Sequence, residues 1–211
     1  MITIVDYGLS NLLSVKRAVE VCGEKALITS DPQVILDASA IILPGVGAFA
    51  DGMNRLRELD LEAPMLQKVR DGTPFLGICL GMQMMFSSSE EGEPTAGLDI
   101  IQGSVVRIPD LGTNGKHQRV PHVGWEPTIE YGEDKDSLFN GTAPNRECYY
   151  VHSYEAVPDD RSRIRGVCLY GGREVVSVVR NIDGNAVGCQ FHPEKSGKTG
   201  LNILQNFLCG I

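Results

Sequence analysis

The sequence predicts an α/β fold with a mostly parallel central sheet, helices on both faces and an antiparallel flank. In the first half of the 211-residue chain, short β-branched runs alternate with segments of helical periodicity. Such alternation implies crossover connections between parallel strands. The second half contains strand-like runs joined by turn signals instead of helices. No low-complexity linker or internal repeat divides the chain, so we expect one domain over residues 1–211.

The elements of the first half follow from periodicity and from the residues that end them. The first helix has apolar residues at helical spacing up to Cys22, and Gly23 provides a stop. We expect Pro44 to break the third strand. The predicted strands are 2–8, 25–30, 40–45 and 74–78, and the predicted helices are 10–23, 31–39, 49–60, 62–72 and 80–89.

The second half is predicted from β-branched runs and turn residues. Asp183-Gly184 lies between two such runs and suits a tight hairpin turn that needs positive φ. We expect a long loop at 108–118 and a closing helix at 200–211. The predicted strands are 100–108, 119–125, 147–157, 166–172, 174–180 and 185–191.

Composition and charge exclude several function classes. The chain is 42% hydrophobic and 22% charged, and its net charge of −8 disfavours a nucleic-acid partner. No run approaches the ~18 apolar residues of a membrane span, and the N-terminus lacks a signal-peptide pattern, so we expect a cytoplasmic protein. The six cysteines are irregularly spaced without a C-x-x-C pair, which favours reduced thiols over disulfides, and no close histidine pair exists. We expect no metal and no cofactor.

The stretch GICLG at 77–81 has the form of a nucleophile elbow, in which a strand turns sharply into a helix. Gly77 and Gly81 provide the small neighbours that this turn requires. The following helix would direct its N-terminus at Cys79 and stabilise a thiolate, and the N–H of Leu80 would hold an oxyanion. By itself, the motif is also typical of a buried cysteine in a βα unit.

A general base is predicted at His192, which directly follows a strand in the stretch FHPEKS. Pro193 stiffens the turn and would hold the imidazole close to the carboxylate of Glu194. A Cys79–His192–Glu194 triad then follows the usual logic of nucleophile, base and orienting acid. A surface turn is the alternative. Of the other histidines, we expect His117 in the loop to face solvent, and His122 and His152 to be structural.

The motifs together resemble the class I (triad) glutamine amidotransferases over nearly the whole chain. The two most specific stretches are GICLGMQ at 77–83 and GCQFHPEKSG at 188–197, supported by DYGLSN, LPGVGAF, PHVGW and YVHSY in the same order. The resemblance implies a flavodoxin-like three-layer fold and hydrolysis of L-glutamine to glutamate and ammonia through a thioester on Cys79. Val46 in PGVG would supply the second oxyanion N–H, after a peptide flip that Gly45 and Gly47 make easy.

The resemblance also assigns a substrate site and a partner surface. Glu91 lies in an acidic run and is open to a second interpretation, as a solvated charge. The glutamine-binding positions would be Gly47, Gln83, Glu91, His152, Ser153 and Tyr154. The positions facing the partner would be Asn11, Trp125, Tyr149 and Lys195.

Within the family, the motifs are most similar to glutaminase subunits of histidine biosynthesis, which form a heterodimer with a (βα)8-barrel cyclase and send it ammonia. The chain departs from that pattern at Glu126, where asparagine usually follows PHVGW. Because of this departure, an alternative remains: a related subunit that feeds ammonia to a similar barrel protein in bacterial surface-sugar synthesis. Two other hypotheses are a cysteine peptidase or chaperone-like hydrolase on a similar fold, and a non-catalytic scaffold. The intact triad motif speaks against the scaffold.

Overall fold

The computed structural model describes residues 1–132 and 135–210. Helices and strands alternate in the first half, and strands dominate the second, as predicted. The helices are α1 (Leu12–Val21), α2 (Pro32–Leu36), α3 (Phe49–Glu58), α4 (Glu62–Arg70), α5 (Leu80–Met84) and α6 (Gly197–Cys209). The strands are β1 (Ile2–Val5), β2 (Ala26–Thr29), β3 (Ala40–Gly45), β4 (Phe75–Cys79), β5 (Phe86–Ser89), β6 (Thr95–Ala96), β7 (Ile101–Arg107), β8 (His122–Pro127), β9 (Ile129–Glu130), β10 (Glu147–His152), β11 (Tyr154–Pro158), β12 (Ile164–Tyr170), β13 (Arg173–Arg180) and β14 (Ala186–Cys189).

The main sheet has eight strands in the order β2-β1-β3-β4-β14-β13-β12-β9. The first five of these pair in parallel, and the pairs from β14 to β9 are antiparallel. This confirms the mostly parallel sheet with an antiparallel flank. Two smaller sheets, β10-β8 and β11-β7-β5-β6, complete the flank.

Two hydrophobic cores lie on opposite faces of the main sheet, which gives the three-layer arrangement. Successive strand residues alternate between them: Ile41 and Leu43 of β3 belong to one core, and Ala40 and Ile42 to the other. The first core also contains buried residues of α2, α3, α4 and α5, and the second contains those of α1 and α6. Helices therefore cover both faces, as predicted.

The prediction that Pro44 breaks the third strand was wrong. β3 continues through Pro44, which pairs in register with Ile78 of β4. On the other side, β1 pairs with β3 only as far as Ile42. The Pro44 carbonyl faces that side and accepts a hydrogen bond from the hydroxyl of Tyr7 at 2.9 Å. The missing N–H of proline thus falls where no ladder bond is required.

The helix predicted at 80–89 is also wrong in its second half. α5 ends at Met84, and Phe86–Ser89 forms β5, which lies between β6 and β7 in the four-stranded sheet. Pairing in a sheet overrides a short apolar run whose periodicity is ambiguous. The strand predicted at 147–157 is divided at Ser153, because β10 pairs with β8 whereas β11 pairs with β7.

The predicted hairpin is confirmed between β13 and β14, where Gly184 has φ +80° and its N–H donates to the Asn181 carbonyl at 3.2 Å. The 108–118 segment contains only an isolated bridge between Leu111 and His117. The final helix ends at Cys209, and Ile211 lies outside the described residues. Within the described ranges, no helix is long and apolar enough to cross a membrane.

Candidate active site

Cys79 lies at a strained turn between β4 and α5. Its φ of +54° and ψ of −109° belong to a region that residues other than glycine rarely adopt. The glycines around it are steric requirements. A Cβ on Gly81 would lie 1.8 Å from the Leu43 carbonyl oxygen, and one on Gly77 would lie 2.7 Å from the Gly81 oxygen. The sharp strand-to-helix turn predicted from GICLG is therefore present.

The sheet brings His192 to the same place. β14 lies beside β4 in parallel, with Cys189 opposite Ile78, so the residues after β14 run alongside Cys79. His192 Nδ1 donates a hydrogen bond of 2.8 Å to Glu194 Oε1, and both side chains are at most 3% exposed. A carboxylate can only accept, so Nδ1 carries the proton. Nε2 is buried, has no hydrogen-bond partner among the described residues, and remains available for the thiol.

The environment of His192 favours its protonated form. Burial alone lowers the pKa of His192, but hydrogen bonding and charge from Cys79 and Glu194 outweigh burial and raise this pKa to about 9. Part of this rise comes from Cys79, which lies at the end of the neighbouring strand β4. The pairing of β14 with β4 thus brings the triad positions, which lie up to 115 residues apart in the chain, to the same ends of neighbouring strands.

Next to the sulfur is a cavity of about 330 Å³. Its walls contain every residue predicted to bind glutamine, together with Cys79, Leu80 and Val46. Pro121 and Val151 also line it; they lie in the stretches PHVGW and YVHSY but were not predicted as site residues. The predicted glutamine-binding residues in the wall are Gly47, Gln83, Glu91, His152, Ser153 and Tyr154.

Two polar side chains of this cavity are held in fixed orientations. Gln83 Nε2 donates to the Tyr154 carbonyl and to Gln190 Oε1, each at 3.0 Å. Glu91 Oε2 accepts a 2.7 Å hydrogen bond from the N–H of Phe49, the first residue of α3. Glu91 is therefore not a free solvated charge, because it satisfies an N–H at the start of a helix.

The two predicted oxyanion donors, the N–H groups of Leu80 and Val46, differ in their orientation. Leu80 is the first residue of α5, where the N–H precedes the first helical hydrogen bond. The N–H of Val46 instead donates to the Leu9 carbonyl at 2.9 Å, away from any oxyanion. Gly47, with φ +104° and open space around its Cβ position, follows Val46 in the chain.

His122 and His152 form a separate buried pair. His152 Nδ1 lies 2.8 Å from the Tyr154 carbonyl, so this nitrogen donates and Nε2 accepts from His122 Nδ1 at 3.0 Å. Burial lowers the pKa of His122 to about 4 and that of His152 to about 3. Both are neutral at neutral pH, and His152 also lines the cavity, where the resemblance predicts a glutamine-binding role.

Sequence reasoning missed Gln190. The residue is fully buried directly after β14, and its Nε2 donates to Cys79 Sγ at 3.7 Å. A polar residue at the end of the apolar strand 185–191 was the signal that could have identified it.

Three of the four residues predicted to face a partner form an outer cluster. The rings of Trp125 and Tyr149 are 6.0 Å apart, and Lys195 Nζ is 5.9 Å from the centre of the Tyr149 ring. Tyr149 also lies 6.5 Å from the ring of His192, so the cluster adjoins the candidate site. Asn11 is exposed just before α1, a helix that contacts the turn at 193–195.

Glu126 does not belong to this outer cluster. Trp125 lies opposite Tyr149 in the β8–β10 ribbon, whereas Glu126 lies opposite the buried Cys148. Since neighbouring strand residues point to opposite faces, the side chains of Trp125 and Glu126 diverge.

All six cysteines are free thiols. Among residues 1–132 and 135–210, no group of three or more histidine, cysteine, aspartate or glutamate residues could hold a metal ion.

The family model for class I glutamine amidotransferases matches residues 3–211. Similar proteins include the "Imidazole glycerol phosphate synthase subunit HisH 1" of Legionella pneumophila (strain Paris), which is 44% identical over 98% of each chain. The HisH subunit of Syntrophotalea carbinolica is 44% identical over 98% of each chain, and that of Geobacter sulfurreducens is 42% identical over 98% of this chain and 97% of its own.

Solved structures with the same fold include PurLQS from Thermotoga maritima, with a TM-score of 0.73, 20% identity, and coverage of 99% of this chain and 97% of that one. A structure described as a glutamine amidotransferase has a TM-score of 0.73 at 18% identity and covers 99% of both chains. At these identities the likeness concerns the fold alone.

Proposed function

The chain belongs to the class I glutamine amidotransferase family, and we propose that it is the glutaminase subunit of an imidazole glycerol phosphate synthase in histidine biosynthesis. It hydrolyses L-glutamine to glutamate and ammonia within one domain that spans residues 1–211, and it acts in the cytoplasm. The observation that carries the assignment to this synthase is identity of 42–44% over 98% of the chain to proteins named as that subunit. The Cys79 site supports the chemistry.

In the proposed mechanism, Cys79 is the nucleophile. Cys79 and His192 share one proton, and with that proton on Nε2 of His192 the sulfur attacks the side-chain amide carbon of glutamine as a thiolate. Glu194 holds the imidazole through Nδ1 and stabilises its charged form. His192 then returns the proton to the amide nitrogen, ammonia leaves, and a γ-glutamyl thioester remains on the sulfur. Water, deprotonated by His192, hydrolyses the thioester to glutamate.

The negative oxygen of each tetrahedral intermediate requires N–H donors. Leu80 offers one directly at the start of α5. Val46 would offer the second after its N–H leaves the Leu9 carbonyl, a rotation of the peptide between Gly45 and Val46. In the arrangement observed here the chain has one of its two oxyanion donors, which is consistent with weak activity in the absence of a partner.

The cavity walls suit an α-amino acid. Both amide hydrogens of Gln83 are already donated, so its oxygen is left to accept a hydrogen bond from a ligand such as the substrate ammonium. The carboxylate of Glu91 adds negative charge near that cavity. These two features favour glutamine over the peptide substrates of a cysteine peptidase.

We propose a (βα)8-barrel cyclase as the partner and the outer cluster of Trp125, Tyr149 and Lys195 as part of the surface that meets it. Asn11 is proposed to belong to the same surface. The cluster adjoins His192, so a partner bound here would cover the point from which ammonia leaves. Glu126, the departure that kept the surface-sugar alternative open, faces the other side of β8 and leaves this surface unchanged.

The test is to purify the chain with its native barrel partner and to measure glutamine-dependent and ammonia-dependent synthesis. Cys79→Ala is expected to lower glutamine-dependent turnover by at least about 10⁴-fold, because removal of a nucleophile leaves only binding and oxyanion contributions. Ammonia-dependent synthesis should remain. The matched control is Cys168→Ala, since burial raises the pKa of that thiol to about 11 and makes it inert.

Loss of both activities in Cys79→Ala, with the control intact, would contradict a separate glutaminase role. Mass spectrometry of the co-purified partner distinguishes the two settings, because a barrel protein of surface-sugar synthesis would replace the cyclase. A glutamine-analogue electrophile should label Cys79 in the complex. Absence of labelling would favour the alternative of a different cysteine hydrolase.

A further inference from the structure

We propose that Gln190 is a further catalytic residue, which donates a hydrogen bond from Nε2 to the sulfur of Cys79 and stabilises its thiolate. The inference rests on the proposed function, because it concerns the same nucleophile. On this inference, the Gln190 side-chain amide supplies part of the activation of the Cys79 thiol, and the triad supplies the rest. Gln190 lies within the stretch GCQFHPEKSG, but neither that resemblance nor the relatives' names assign it a role.

The position of Gln190 is rigid. Its side chain is fully buried, and its backbone N–H donates to the Ser177 carbonyl at 2.9 Å, which extends the pairing of β13 and β14. The Nε2–Sγ distance is 3.7 Å. Buried amides that are anchored in this way cannot rotate towards water, so the hydrogen bond is built into the fold.

The Tyr154 carbonyl, which can only accept, determines which end of the Gln190 amide faces the sulfur. Tyr154 O accepts from Gln83 Nε2 at 3.0 Å, which fixes the nitrogen end of Gln83. The second hydrogen of that nitrogen is donated to Gln190 Oε1 at 3.0 Å. Gln190 must therefore present its Nε2, a donor, to the sulfur. A flipped amide would set two donors against each other and an acceptor against the sulfur.

The sulfur needs such a donor because its other near neighbour opposes ionisation. The Cys79 thiol lies 3.8 Å from the Val151 carbonyl oxygen, to which an S–H can donate. That oxygen stabilises the neutral thiol and repels a thiolate, whereas the Gln190 amide does the reverse. When the proton moves to His192, the hydrogen bond to Val151 is lost and the one from Gln190 becomes charge-assisted.

The chain offers a matched comparison at its surface. Gln205 Nε2 donates to Cys209 Sγ at 3.4 Å, in an exposed helical turn where water can replace the amide. The same pair of groups should therefore contribute little at Cys209 and much more at buried Cys79, because unsatisfied charge is costly only away from solvent.

The experiment measures the rate at which iodoacetamide alkylates Cys79 as a function of pH in the full chain, with peptide mass mapping to separate the six thiols. Gln190→Met keeps the side-chain length and removes the donor. We expect the midpoint of the Cys79 profile to rise by about one to two pH units, equivalent to about 10- to 100-fold slower alkylation on its acid side. Gln205→Met should leave the Cys79 midpoint unchanged.

A second variant guards against misfolding of the first. Gln190→Glu preserves the acceptor for Gln83 and places an ionisable oxygen against the sulfur, so its midpoint should rise at least as far as in Gln190→Met. Thermal unfolding of each variant reports whether it is folded. In the complex with the partner, both variants should lower kcat more than they raise KM, because Gln190 does not line the substrate cavity.

The outcomes separate this inference from the function on which it rests. If wild-type Cys79 is activated but its midpoint is unmoved in the folded Gln190 variants, the assignment to Gln190 is wrong and the glutaminase proposal stands. If the complex with Cys79→Ala keeps its glutamine-dependent turnover, Cys79 is not the nucleophile and both are overturned.

Discussion

Two buried hydrogen-bonded pairs of this chain contain histidine, and their histidines have opposite protonation behaviour. His192 donates to Glu194 at 2.8 Å, and His122 donates to His152 at 3.0 Å. Against the opposing effect of burial, the pKa of His192 rises to about 9, whereas burial lowers the pKa values of the other two to about 4 and 3.

The difference lies in the partners. A carboxylate and a thiol can both become anions, and each then stabilises an imidazolium. A carbonyl and a second imidazole carry no negative charge, so burial dominates and the ring stays neutral. One pair can therefore move a proton, and the other can only hold the backbone of Tyr154, which lines the cavity.

Removal of the His192 imidazole should have the greatest effect on activity. His192→Asn should lower glutamine-dependent kcat in the complex by about 10⁴-fold or more, because the base and acid for every proton transfer is lost. Steady-state glutamate release checks this, with ammonia-dependent synthesis as the internal control. A loss of less than tenfold would mean that another group carries the proton.

A titration of the histidine rings would measure the difference between the two pairs directly. NMR of the labelled rings should show His192 protonated up to a pH of about 9, and His122 and His152 neutral down to about 4 and 3. In Cys79→Ala the pKa of His192 should fall, because the thiol that raises it is gone. An unchanged value would mean that Glu194 alone sets it.

The same pKa values predict how stability depends on pH. His192 has a folded pKa above its ordinary value of 6.5, so its contribution is fully present below pH 6.5 and is lost as pH rises through about 9. His122 and His152 have folded values below 6.5, so their contribution is present above pH 6.5 and is lost as pH falls towards 4 and 3. Urea unfolding at several pH values measures both slopes.

A substitution in the neutral His122–His152 pair should have the least effect on activity. His122→Phe keeps a ring stacked on Tyr150 and Tyr170 but removes the donor to His152. We expect a loss of about 1 kcal/mol in the free energy of unfolding, since one buried acceptor becomes unsatisfied while the unpaired Nε2 of His122 is also removed. Glutamine kcat should change less than tenfold, and a larger kinetic loss would place this pair in the chemistry.

Much of the fold could be predicted because its signals are local. The turn at Gly184, the stop at Gly23 and the elbow glycines each reflect a backbone requirement that only their own neighbourhood sets. The helix expected through Phe86–Ser89 failed because pairing with β7 is a distant interaction that a short run of residues does not encode. The prediction that Pro44 breaks β3 failed for a similar reason, because the point at which the β1–β3 ladder ends determines whether the missing N–H of Pro44 matters.

The site shows the same limit. Residue types and their order identified Cys79, His192 and Glu194 as candidates, and the sheet explains why they meet. The orientation of the Val46 N–H towards Leu9 is a backbone rotation, which leaves no trace in residue identity. Gln190 was missed because its role depends on which end of the amide faces the sulfur, and Tyr154 determines that from 36 positions away.

The hairpin between β13 and β14 has a practical consequence. β14 runs from this turn towards Cys79, so the turn lies at the edge of the sheet opposite the reactive thiol. Its tip is open, with Ile182 77% exposed. Exposed turn tips are the places where inserted sequence is best tolerated. An affinity tag or a fluorescent reporter inserted between Ile182 and Asp183 would therefore leave the glutamine cavity and the outer aromatic cluster uncovered.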